Sequence, residues 1–233
     1  MNKKLIAGLV FGTLALTSAA AHANNISTAT QSVVVAGTFS GSNPLSYLQD
    51  NWNNAGFSIN KFDSSLGVLQ SVNFVLGGYL QGQTITVKNT STSTATTNYQ
   101  MIINDTITVT GPNGNNVVVS SSSGTVTSLA PGASTNVTVA AASNTKTYSV
   151  TTGLSTYEAA GGGILGGFNA NSSNQIGQLQ SGGATSPTTP PQTASAALLS
   201  YYYTYSTVPE PATLLLMGIG VLGMGFAATR RKS

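Results

Sequence analysis

Cysteine is absent from the 233 residues, histidine occurs once, at His22, and arginine appears only at Arg230 and Arg231. Without thiols the chain forms no disulfides and offers no thiolate to a metal. Without histidine or arginine in its body, the usual nucleophile and base pairs, zinc sites and bidentate phosphate clamps cannot be assembled. Charge of either sign is also scarce, at 6% of residues, against about 25% in an ordinary soluble domain. The net charge of +3 belongs to the ends, with Lys3 and Lys4 at one and Arg230, Arg231 and Lys232 at the other. Between them Lys61, Lys88 and Lys146 stand against Asp50, Asp63, Asp105 and Glu158. A body without a basic face cannot displace counterions from phosphates, which argues against nucleic acid as a partner. The expectation is a protein that is not an enzyme and has no catalytic residue, cofactor or metal.

What is present begins with an address. Residues 1–23 read as a basic start, an apolar run from Leu5 to Leu16, and small residues ending Ala21-His22-Ala23. That order is a secretory signal peptide with an A-x-A cleavage site, too short for a comfortable membrane span. The expected partners are the Sec translocon and signal peptidase, with cleavage after Ala23 and a mature chain starting at Asn24.

The other end carries Val208-Pro209-Glu210-Pro211, then an uncharged stretch from Ala212 to Thr229, then Arg230-Arg231-Lys232. As a helix, about eighteen residues reach roughly 27 Å, close to the hydrocarbon thickness of a bilayer. The basic cluster stays cytoplasmic, leaving the body outside the inner membrane. In this order these three parts resemble a PEP-CTERM sorting signal, covering 208–233 with a transmembrane helix at about 212–229. The resemblance implies recognition by an exosortase-type processing enzyme in the inner membrane, removal of the tail near the Pro-Glu-Pro, and delivery to the cell surface or extracellular polysaccharide matrix. Exopolysaccharide is then a further expected partner. The competing reading is an ordinary single-pass anchor that is kept.

Residues 24–207 form the expected domain. Ser, Thr, Asn, Gly, Ala and Val dominate it, and period-two alternation distinguishes it from a disordered tract. Val33 and Val35, then Val72, Phe74 and Leu76, then Met101, Ile103, Ile107 and Val109 each fall on one face. Further strands are expected at Thr84–Lys88, Val117–Ser120, Asn136–Ala140 and Thr147–Thr151, with turns near Gly77-Gly78, Gly82, Gly111-Pro112-Asn113-Gly114 and Pro131-Gly132. A short helix is expected between Pro44 and Trp52, and a mobile loop over 181–194. Leu199, Tyr201, Tyr203 and Tyr205 share one face of the final strand and are expected in the core. Many short strands with one apolar face each imply an all-β fold, an antiparallel β-sandwich. The stretch Lys61-Phe62-Asp63-Ser64-Ser65-Leu66-Gly67-Val68-Leu69 resembles the choice-of-anchor E domain, an exported β domain without established activity, with Ser64 where that family usually has proline.

Candidate contacts are few. Trp52 sits in Asp50-Asn51-Trp52-Asn53, and an indole ringed by amides and a carboxylate suits a sugar: ring on pyranose face, polar groups on hydroxyls. Asp50, Trp52 and Asn53 are therefore the candidate carbohydrate contacts, against the plainer alternative of a tryptophan lying on the end of the core. Asp63, Asp105 and Glu158 could supply oxygens to calcium, but no D-x-D-x-D-G array is present; Asp63 is more simply the cap of the turn ending at Gly67. The T-x-T pairs Thr84/Thr86 and Thr106/Thr108 could offer an ice-matching array, although strand propensity alone accounts for them. The favoured function is a non-enzymatic exported protein with a structural or adhesive role in a biofilm or exopolysaccharide matrix. A carbohydrate-binding module centred on Trp52 is the alternative, ahead of ice or calcium binding.

Overall fold

β-Branched and aromatic residues recurring at every second position give strands, and strands make up nearly all the regular structure of the described residues. The computed structural model describes residues 25–40, 43–49, 51–207 and 218. Seven strands come first: β1 (Asn25–Ser27), β2 (Gln31–Ala36), β3 (Thr38–Ser40), β4 (Asn43–Ser46), β5 (Leu48–Gln49), β6 (Asn53–Asn60) and β7 (Phe62–Asp63). Longer ones follow as β8 (Val68–Leu80), β9 (Gln83–Asn89), β10 (Thr96–Gly111), β11 (Gly114–Val126), β12 (Ser134–Val139) and β13 (Ala142–Val150). The remainder are β14 (Glu158–Ala159), β15 (Ile164–Gly182), β16 (Thr185–Pro187) and β17 (Ala194–Ser206). The fold is all-β with antiparallel sheets; the exception among the described residues is a short parallel bridge between β7 and β14.

One sheet runs β1-β17-β8-β13, with β2 and β5 also paired to β17. A second runs β11-β10-β15-β6, and a third, smaller one runs β12-β9-β16. β17 is therefore interior to its sheet: β8 lies along one side, while β1, β2 and β5 share the other.

Two apolar clusters form between these sheets. The larger takes Val72, Phe74 and Leu76 from β8 and Leu199, Tyr201 and Tyr203 from β17, and packs them on Ile107, Val109, Val118 and Phe168 of the second sheet. The smaller joins Tyr99, Met101 and Ile103 of β10 to Ile85, Val87, Val137 and Val139 of the third sheet. β10 feeds both with the same face, as alternation requires. Each buried large side chain contributes about 1.5–3 kcal/mol against leaving it in water.

Three expectations need correction. Gly77 and Gly78 lie inside β8, not at a turn. A Cβ on Gly78 would fall 2.8 Å from a methyl of Val118 and 3.1 Å from Ile107, so the glycine is what lets the second sheet approach. The segment from Pro44 to Trp52 holds β4 and β5 where a helix was expected; β5 pairs with the start of β17, and a helix there would forfeit that ladder. Residues 181–194, expected as a loop, include a strand: β16 pairs with β9, the Thr188 backbone N–H donates to the Thr86 carbonyl, and Thr185 and Thr193 are buried. By contrast, the hairpin at Gly111–Gly114 joins β10 to β11 through the expected two-residue turn, with Gly114 at φ +106°.

Candidate functional site

Ala21, Ala23, Asn24, Asp50, Val208, Pro209, Glu210, Pro211, Arg230, Arg231 and Lys232 lie outside the described residues. Among the described residues no helix is long and apolar enough to cross a membrane.

Trp52 lies inside the molecule. It is 8% exposed and belongs to the larger core, and its indole N–H donates to Ser195 Oγ at 2.8 Å. A ring held that way presents no face to a sugar and has its polar atom turned inward, so the exposed stacking platform is replaced by the core placement. Asn53 opens β6, exposed, opposite Asn171 of β15.

The tryptophan heads a buried relay. Ser195 Oγ, having accepted from Trp52, donates to Ser172 Oγ at 3.2 Å, and Ser172 Oγ donates to Asp105 Oδ1 at 2.6 Å. Each hydroxyl has one proton, so the chain has a single direction and ends on an acceptor, as a carboxylate requires. Asp105 is 0% exposed, and its Oδ2 has no partner. Burial pushes its carboxyl above the ordinary range, while the nearby hydroxyls, Ser172 foremost, pull it part of the way back. Its cross-strand neighbour Asn174 also has both side-chain polar atoms buried and unpartnered. The cluster separates the two apolar cores along β10 and is buried. Composition singled out Asp105 but not Ser172 or Ser195, since nothing marks two serines among so many until β15 and β17 bring them to one point.

The tyrosines of β17 form a second buried polar set. Tyr201 Oη accepts from the Asn60 backbone N–H at 2.8 Å and donates to Gln31 Oε1 at 2.9 Å, and Tyr203 Oη donates to the Asn60 carbonyl. Burial raises both phenols above their ordinary value, and each stays protonated as a donor. Phe74 and Tyr201 pack with ring centroids 6.3 Å apart, and Tyr201 meets Tyr203 edge-on at 5.9 Å. Tyr205 is only half-buried, against Phe62.

The other described carboxylates, Asp63 and Glu158, lie apart from Asp105. Asp63 caps the 3₁₀ turn Ser64–Leu66, accepting from the backbone N–H of Ser65 and of Gly161 at 2.9 Å each. Those bonds, Ser65 foremost, hold its carboxyl below the ordinary range. β14 brings Glu158 next to this turn, but Asp105 sits in another strand's interior. Among the described residues no three acidic, histidine or cysteine side chains gather as metal ligands. Thr84 and Thr86 spend their hydroxyls across the strand pair, on Thr138 at 3.1 Å and Asn136 at 2.9 Å.

The family model for the PEP-CTERM protein-sorting motif matches residues 207–232. The chain carries a PEP-CTERM protein-sorting motif. The motif implies export, transient residence in the membrane and processing by an exosortase. It begins one residue after β17 ends. No curated protein matches the chain. Among solved structures it is similar to that of the infectious bursal disease virus Gx strain, at 11% identity over 85% of this chain and 49% of that one, with a TM-score of 0.16. The T13 particle of the same virus gives 13% identity, 84% and 48% coverage and a TM-score of 0.15. The chain spans about half the length of those viral chains, and TM-scores this low carry no argument about fold or function.

Proposed function

We propose that this is a non-enzymatic exported protein whose β-sandwich body has a structural or adhesive role at the cell surface or in the exopolysaccharide matrix. The observation that carries the reading is the junction at residue 207, where the sorting motif follows the last strand without a linker. Cleavage at the Pro-Glu-Pro would release the body with β17 whole. A retained tail would instead transmit any pull on the body straight into β17, an interior strand registered along β8 from Val68 to Leu80. Either outcome suits a load-bearing domain. The sandwich reading rests on two sheets contributing to one core. The non-enzymatic reading is supported by the burial of Asp105, apart from Asp63 and Glu158, among the described residues. The likeness of Lys61 and its neighbours to the choice-of-anchor E domain belongs to the same proposal, since such domains are delivered by various anchors. A sugar site on Trp52 is not part of it, because that ring is in the core.

Intact-mass measurement of the extracellular protein tests the route. The expected species runs from Asn24 to near Val208, and it should co-sediment with the polysaccharide matrix after washing. An extracellular species still containing Leu214–Lys232 would overturn the sorting step, and a free species that never associates with cells or matrix would overturn the role.

A further inference from the structure

The two halves of β15 have different surroundings. Up to Asn171 it runs between β10 and β6, and Phe168, Ala170 and Ser172 are buried at every second position. Beyond Asn171 no strand among the described residues pairs with its second side, and every residue from Gln175 to Gly182 is exposed, on both faces. The Ser172 N–H donates to the Trp52 carbonyl at 2.9 Å and the Asn174 N–H to Asn51 Oδ1 at 2.6 Å. Both bonds leave on the side away from β10, so alternation sends the N–H and C=O of Ile176, Gln178 and Gln180 out along that same open edge. Three other edges are blunted: β13 carries Lys146, β16 ends on Pro187, and β12 lies so near β11 that a Cβ on Gly124 would fall 2.4 Å from the Thr138 carbonyl. The stretch 175–181 has neither a charge nor a proline.

A second copy of the chain brings the same uncharged strand, so no like charges meet across the pair. Gly182, at φ +82°, ends the extended backbone, and the Asn174 N–H is already taken, so the free regular stretch is 175–181, with Gln178 at its middle. Antiparallel pairing about a two-fold axis at Gln178 matches Ile176 with Gln180 and makes about six backbone hydrogen bonds, against about ten in a standard interface. The same register sets Leu179 of each copy opposite Gly177 of the other. Leu179 is 58% exposed, and a Cβ built on Gly177 has only Ile102 within 4 Å among the described residues, so each leucine covers the space that a glycine leaves. We propose that the 175–181 edge of β15 binds the same edge of a second copy, joining two β11-β10-β15 layers into one continuous sheet. One strand pair is small for a specific interface, which suits a dissociable dimer. The dimer does not depend on where the protein is delivered.

The test uses the full chain in a zwitterionic detergent; because cysteine is absent, an introduced thiol is unique. Light scattering at about 100 μM chain should report a dimer for the parent. Gly177→Cys and Leu179→Cys are then prepared separately, mixed and mildly oxidised. In the expected register the two different thiols face each other across a non-hydrogen-bonded pair, with Cα atoms about 4.5 Å apart, whereas two copies of one variant hold theirs about 7–8 Å apart. The mixture should give about fivefold more disulfide-linked dimer than either variant alone. Gln178→Pro removes an outward N–H and no bond to β10, and it should weaken the dimer about tenfold or more, as should Leu179→Arg. Leu179→Arg changes an exposed side chain, so it reads the interface even where the proline variant fails to fold. A monomeric parent, equal linking in the mixture and in the single variants, or a dimer unmoved by Leu179→Arg would overturn the proposal. None of these results bears on the mass of the exported species, so the proposed route stands or falls separately.

Discussion

Two buried polar clusters share this core, and they are solved differently. Around Tyr201 and Tyr203 each phenol reaches past the rings to the edge of β6 and meets Asn60 or Gln31. Around Asp105 the side chain is short, sits mid-strand, and depends on two serines for its only support, with Oδ2 and both polar atoms of Asn174 unpartnered. The difference is one of reach. A tyrosine buries its ring and delivers its polar atom several ångströms away, whereas an aspartate buries its charge wherever its backbone is. The first cluster therefore adds stability and the second subtracts from it.

Four measurements would break or sharpen that contrast. The largest effect is expected at Tyr203→Ala, which removes a ring from the interior and leaves the Asn60 carbonyl without its donor; chemical denaturation should report a loss of about 3–5 kcal/mol. A parent-like melt would return the tyrosines to the surface as a binding face. Ser172→Ala deletes the donor to Asp105 Oδ1 and the acceptor for Ser195, so about 2–3 kcal/mol should be lost at neutral pH. The loss should shrink in acid, where the carboxyl is neutral. A pH-independent loss would mean that Asp105 is already protonated at pH 7.

The third measurement concerns the sign of the pH dependence. Asp105 has its folded-state value raised above that of the unfolded chain, so its protonated form favours the native state. Its contribution to stability is present below the unfolded value near 3.8 and is lost as pH rises through the raised folded value. Asp105→Asn should therefore raise the melting temperature at pH 7 and remove this part of the pH profile. Asp63 has the opposite sign: its lowered value supplies stability above the unfolded value that is lost as pH falls. Asp63→Asn should consequently melt no higher than the parent at pH 7, and a D63N melt above D105N would reverse the assignment. The smallest effect belongs to Thr204→Ala, on the outward face of β17, where hydroxyl contacts with Ser27 at 3.5 Å and Asn73 at 3.1 Å amount to less than about 1 kcal/mol.

Much of the body was legible before any tertiary information. Alternation identified Val72, Phe74 and Leu76 of β8, Met101, Ile103, Ile107 and Val109 of β10, and Leu199, Tyr201 and Tyr203 of β17 as buried, although Tyr205, expected with them, is half-buried; the Gly111–Gly114 hairpin and the Asp63 cap followed from turn chemistry. The failures share a cause. Gly77-Gly78 read as a turn because glycine is usually there for its dihedrals, while in β8 it is there for its missing side chain. The stretch from Thr185 to Pro187 read as loop because prolines discourage strands, yet three residues on the edge of a small sheet tolerate one. Trp52 was a candidate sugar contact only beside the plainer place on the end of the core, and its burial at 8% exposure fits the plainer reading; its polar neighbours in sequence say nothing about what lies across the sheet.

The sequence by itself determined the strand class, the buried residues of β8, β10 and the second half of β17 apart from Tyr205, the scarcity of catalytic groups and the sorting motif at residues 207–232, because period, composition and a contiguous motif are local properties. Tertiary structure decided which faces meet. It set β17 between β8 and the amino-terminal strands, sent Trp52 inward to Ser195, and left Asp105 with half of its oxygens unpartnered. Each of these joins residues from strands distant in the chain, and in a polymer this uniform in Ser, Thr and Asn no local signal distinguishes the serine that will meet a carboxylate from those that will meet water.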